Sequence, residues 1–213
     1  MADESLSGHE IPEERKSTAG RSPSTALQLM PALLLSLLLQ LADSRICKIV
    51  SLLGAAYAFG SNVWLLRYGP RMYAVCCKES RWLGKEAFST LQAACFPEFF
   101  ALQTAACLVA LGGRWATASV WDVANLAMMA AIALALINLF GLGPKTTQLM
   151  ASLYQQHLKD ASSSAPLLSD ASKEAKKKFG TCPAKGMVHG ISMLLDLMNL
   201  GAVFAFICAV ALD

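Results

Sequence analysis

The sequence predicts an all-α, polytopic membrane protein: a four-helix transmembrane bundle with an additional N-terminal hydrophobic helix. Two observations predict it. Hydrophobic residues make up 55% of the 213, charged residues only 15%, and mean hydropathy is +0.45, whereas soluble domains carry about 25% charge. The charges are also unevenly spread. Ser22–Ala42, Ile49–Leu66 and Val123–Pro144 contain no Asp, Glu, Lys or Arg, while Ala87–Gly113 and Gly186–Leu212 each contain a single acid. A bilayer-spanning helix needs about 20 mostly apolar residues.

Residues 1–25 mix Glu, Ser, Arg and Gly without hydrophobic periodicity and read as a disordered tail. Residues 26–45 hold an apolar helix that suits a signal-peptide core, an uncleaved anchor or an extra span. Arg15, Lys16 and Arg21 flank it as a signal or anchor requires, although five acids in the tail are atypical. The membrane domain follows over 46–212, with spans expected at about 47–66, 88–111, 121–142 and 187–212. Gly143–Pro144 reads as the stop of the third span. The polar stretch 145–185 reads as a mobile loop, with Lys173–Phe179 as a short basic helix.

Charge sets the expected orientation. The first and third loops hold 12 Lys and Arg against 6 elsewhere, the N-terminal tail included. Loops 67–86 and 145–185 are therefore expected in the cytoplasm, in an endomembrane or the plasma membrane. The lipid bilayer is the expected environment, and partner membrane proteins or further copies of the chain are the expected company.

Several function classes fall away. A soluble enzyme, a nucleic-acid module and a disulfide-stapled secreted domain do not fit such a chain. Seven cysteines, an odd number, cannot all pair, and Cys76–Cys77 lack the CxxC or CxxH spacing of a zinc site. Met128, Met129, Met193 and Met198 are soft ligands in type, yet no spacing gathers them, so no metal or cofactor is expected. The segment Gly141–Thr147 lacks the GxxxxGK[ST] spacing of a phosphate loop. No nucleophile, base and orienting group can be assembled from His9, His157 and His189, and no catalytic residue is assigned.

The candidate polar site is intramembrane. Glu98 falls near the middle of the expected second span. A carboxylate at bilayer depth costs roughly 2.5–3.5 kcal/mol on insertion scales and should turn inward or be protonated. It reads either as a proton or cation site or as an acid that locks packing. His189, Ser192, Asp196 and Asn199 follow at steps of 3, 4 and 3, on one face of the fourth span. That stripe reads as interhelical hydrogen bonding or as a proton relay from His189 to Asp196. Asn62 and Asn138 complete the expected interior lining. In the first span, Gly54 and Gly60 are small enough for close helix approach.

Four segments carry a resemblance: Gly60–Ser61–Asn62–Val63–Trp64; Gln92 with Phe96–Pro97 and Phe99–Phe100; Asn138 with Pro144–Lys145–Thr146–Thr147; and His189–Gly190–Ile191–Ser192 followed by Leu194, Asp196 and Leu197. In order and spacing they resemble the transmembrane protein 205 family, over roughly Lys48–Leu212. The resemblance implies a four-span bundle with a longer loop between spans three and four, a domain of no established activity, and no catalytic residues. Asp196 stands where the pattern leads one to expect Asn, and Glu98 at a position that need not be acidic. The expected role is a non-enzymatic multi-pass membrane protein supporting trafficking, assembly or organisation of membrane components. The alternative is a small proton or cation transporter using Glu98 and Asp196.

Overall fold

A computed structural model describes residues 25–75, 85–146, 148–149 and 183–212. Most of the tail 1–25, the centre of the first loop and the core of the 145–185 loop, including the expected basic helix at Lys173–Phe179, lie outside the described residues. The described chain is a bundle of five helices. Helix α1 covers Thr25–Leu38 and tightens into a 3-10 turn at Leu39–Leu41. Helix α2 covers Ser44–Ala74, α3 Lys85–Trp115, α4 Val123–Leu136 and α5 Pro183–Leu212. Four helical stretches are long and apolar enough to cross a membrane: Ser44–Met72, Ala94–Trp115, Val123–Thr146 and Met187–Leu212.

Successive spans run antiparallel. Ser51 on α2 donates to the carbonyl of Ala110 on α3 at 2.7 Å, and Asn199 on α5 donates to that of Ala131 on α4 at 2.6 Å. Small residues make the α2–α3 crossing close. A Cβ on Gly54 would meet the Ala106 carbonyl at 2.8 Å, and one on Gly113 would meet the Cys47 carbonyl at 2.5 Å. Such contacts replace hydrophobic drive, which lipid does not supply between helices. The core between them is Ala55, Ala58, Cys107, Ala110, Met128, Val203 and Phe206, all fully buried.

Helix α1 is an integral part of the bundle. Ser36 Oγ donates to the Leu108 carbonyl at 3.0 Å and Gln40 Nε2 to the Gly112 carbonyl at 2.9 Å. A Cβ on Gly112 would meet that of Ser36 at 2.5 Å. Both hydrogen bonds join residues 72 apart in sequence, so α1 and α3 run parallel in register. Leu29 accordingly packs on the second core cluster, Phe100, Ala101 and Leu139. The described apolar stretch Leu27–Leu41 is about 22 Å long at 1.5 Å per residue. Asp43 then reverses the chain, its side chain accepting from the Arg45 N–H at 2.8 Å as the N-cap of α2.

The structure corrects one boundary. The helix does not stop at Gly143–Pro144. It widens into a π turn at Ile137–Leu142, with the Gly143 N–H bonded to the Asn138 carbonyl, and stays helical through Thr146. A regular helix would drive the Pro144 ring into the carbonyl of Phe140, and the widened turn lies just where that clash would arise. Helix α3 contains the whole expected second span, 88–111. Gln103 pairs with Asn62, so along these antiparallel helices Glu98 lies level with Arg67, toward the end of the bundle where α2 finishes.

Candidate intramembrane polar core

The interior at mid-span is an amide cluster. Asn62 lies one helical turn past Ala58 on the inner face of α2, and its Nδ2 donates both to the Ala58 carbonyl at 3.1 Å and to Asn199 Oδ1 at 2.8 Å. Gln103 Nε2 on α3 donates to Asn62 Oδ1 at 2.6 Å and to Asn199 Oδ1 at 2.9 Å. Asn199 Nδ2 closes the set on the α4 backbone at Ala131. Three side chains thus tie four helices together. All three are buried to 1% exposure or less, where each unmade hydrogen bond is costly.

One turn from Asn199 along α5 lies a second group. Asn138 Nδ2, in the π turn, donates to Asp196 Oδ1 at 2.8 Å and more weakly to the Ser192 carbonyl at 3.3 Å. Asp196 is 2% exposed. The carbonyl oxygens of Gln103, Asn138 and Asn125 are buried without a hydrogen-bond partner among the described residues.

The expected lining therefore divides. Asn62, Asn138, Asp196 and Asn199 are buried, and Ser192 is half-buried. His189 and Glu98 are exposed. Glu98 shares its outward face with Leu91, Cys95 and Leu102, which recur at helical spacing. The expectation that it faces the interior is corrected. Five residues before Gln103 and level with Arg67, Glu98 is exposed toward the end of the bundle, where an acid need not turn inward. Glu98 and Asp196 do not share a cleft.

Gln103 is the interior residue that sequence reasoning passed over. Its signal was present: Phe100, Gln103, Cys107, Ala110 and Arg114, at steps of three and four, lie on the buried face of α3, with Thr104 beside them. At the far end of that face Arg114 pairs with Asp122, Nη2 to Oδ2 at 2.9 Å. The hydrogen bond from Arg114 holds the Asp122 carboxyl below its ordinary range. Among the described residues no group of three His, Cys, Asp or Glu side chains is placed to hold a metal ion.

An outward-facing groove of about 430 Å³ lies between α2 and α3, lined by Ala56, Tyr57, Gly60, Ser61, Trp64 and Phe99. A Cβ on Gly60 would meet nothing within 4 Å. This separates Gly60 from Gly54, which lies in the helix crossing.

Comparison with known proteins adds one likeness. Residues 53–155 match the model of a family described as a domain of unknown function, DUF4149. The matched stretch takes in most of α2, all of α3 and α4, and the π turn. No curated protein and no solved structure matches the chain. The matched family brings no activity with it, and the polar core is argued from its geometry alone.

Proposed function

We propose that this multi-pass membrane protein is a non-enzymatic scaffold that supports assembly or organisation of membrane components. The observation that carries the reading is the amide cluster. Asn62, Gln103 and Asn199 spend their hydrogen bonds on one another and on the Ala58 and Ala131 carbonyls. A core built this way fixes the relative position of four helices, with the Gln103 oxygen left as a buried acceptor. The likeness to the transmembrane protein 205 family belongs to the same proposal, since it too carries no catalytic residues.

Charge supports an orientation. The end of the bundle where α2 finishes, α3 and α5 begin and α1 enters is joined to fifteen of the 18 Lys and Arg; only Arg45, Lys48 and Arg114 belong to the other. The parallel run of α1 beside α3 brings the end of α1 that follows the tail to this side. The proposed cytoplasmic face therefore carries the basic loops, which suit acidic partners or anionic lipid.

A transporter is the second reading, favoured by the buried Asp196 carboxyl beside the unpartnered Asn138 oxygen. Ion flux in vesicles holding the purified chain separates the two, with a trapped pH dye followed by a set of cations. A scaffold gives flux equal to empty vesicles from wild type and Asp196→Asn alike. Flux in wild type that Asp196→Asn abolishes, at matched density of folded protein, overturns it.

A further inference from the structure

We infer that the groove between α2 and α3 is a binding site for an anionic phospholipid, with an acyl chain against Gly60 and the phosphate held by Arg67 and Arg71. This goes beyond the scaffold reading and does not rest on it. Tyr57, Gly60, Trp64, Arg67 and Arg71 follow one another at steps of 3, 4, 3 and 4 and form a single stripe along α2. The first three line the groove. Trp64 also meets Tyr68, ring centroids 6.0 Å apart, an aromatic pair of the kind that settles at headgroup level. Arg67 lies about 10 Å beyond Gly60 at 1.5 Å per residue, and Arg71 one turn further. Groove, aromatic belt and guanidinium groups thus come in the order of acyl chain, glycerol and phosphate in a lipid.

The charge decides the occupant. Arg114, the arginine of α3, is taken up by Asp122, whereas no side-chain hydrogen bond or ion pair joins Arg67 or Arg71 to another described residue. Guanidinium groups bind phosphate through paired N–H donors. A second copy of the chain fits less well. The membrane imposes one orientation on both copies, so a symmetric dimer along this stripe would set Arg67 and Arg71 against their own counterparts.

The test uses the full chain with Trp64 as its single tryptophan (W82F, W115F, W121F), in phosphatidylcholine vesicles. A minor share of the lipid is replaced by brominated-chain phosphatidylglycerol or, separately, brominated-chain phosphatidylcholine, and quenching of Trp64 is read. The anionic probe should be enriched at the groove by about fivefold for each arginine. R67Q/R71Q should bring the two probes level. G60L, which fills the groove and leaves every charge in place, should do the same with melting unchanged.

Equal quenching of the parent by both probes overturns the proposal, because the groove then meets bulk lipid. Quenching by neither overturns it too, because a protein surface then covers the groove. A preference that survives G60L also overturns it, since the charged end alone then attracts the lipid. Native mass spectrometry of the chain with all four tryptophans gives an independent reading. Retained phosphatidylglycerol should be lost in R67Q/R71Q, and retention that does not change counts against the site.

Discussion

The two faces of α2 make opposite use of similar residues. On the inner face Ser51, Ala55, Ala58 and Asn62 are buried, and each polar group there has a named partner on α3, on α5 or in α2 itself. On the outer face Tyr57, Gly60, Trp64, Arg67 and Arg71 are exposed, and the arginines have no partner among the described residues. Small residues occur on both faces, but Gly54 exists to let a backbone approach and Gly60 to leave a space. One helix therefore carries both the lock of the bundle and a surface free for something else. Residue type alone does not separate the two roles; the neighbour each residue meets does.

The largest expected effect falls on the close crossing. Gly113→Leu should prevent assembly of a stable bundle, because its Cβ would lie 2.5 Å from the Cys47 backbone. Gly54→Leu should cost about 3 kcal/mol or more, the upper range for overpacking, since backbone atoms cannot move aside as side chains do. Gly60→Leu on the other face should stay within about 0.5 kcal/mol of wild type. Denaturation in mixed micelles measures all three. Equal losses at Gly54 and Gly60 would erase the contrast between the faces.

A smaller effect is expected in the amide cluster. Asn199→Leu leaves both Asn62 and Gln103 short of an acceptor and should cost about 2 kcal/mol. A double-mutant cycle with Gln103→Met should recover part of that loss, with coupling of about 0.6–1.7 kcal/mol as in other membrane bundles. Zero coupling would mean that the cluster does not act as a unit.

The smallest effect belongs to the exposed end. Asp122 is held below its ordinary carboxylate range by Arg114, so it binds a proton less readily folded than unfolded. Its contribution is present above the unfolded carboxylate value and lost as pH falls through the lower, folded one. Asp122→Asn should lower the melting temperature slightly at neutral pH, and the gap should close in acid. A gap that persists in acid would point to packing in place of the ion pair.

The four spans were legible because each rests on a run of apolar residues that lipid demands and few soluble folds supply. Asn62, Asn138, Asp196 and Asn199 were legible as interior residues because an amide or acid in such a run must turn from lipid. Glu98 misled for the same reason. Its charge drew notice, but its depth depended on the register of α3 against α2, which sets it level with Arg67. Gln103 lies five residues further, about 140° around the helix, on the face that Phe100, Cys107 and Arg114 already marked. The π turn was hidden, since Pro144 signals both a helix stop and a locally widened helix. Whether a glycine meets a backbone or an open groove depends on the partner helix, which a single stretch of sequence does not contain.

The parallel seating of α1 also fixes an order of events during synthesis. Ser36 and Gln40 reach the membrane with hydroxyl and amide groups whose acceptors, the Leu108 and Gly112 carbonyls, lie 72 residues further along the chain. At ribosomal speeds of about 5–20 residues per second, those acceptors are made roughly 4–14 s later. Through that interval α1 is a short apolar segment without its dock. Meanwhile Ser36 and Gln40 have acceptors within their own helix, the Ala32 and Ser36 carbonyls. Helix α1 is thus made well before the helix on which it docks.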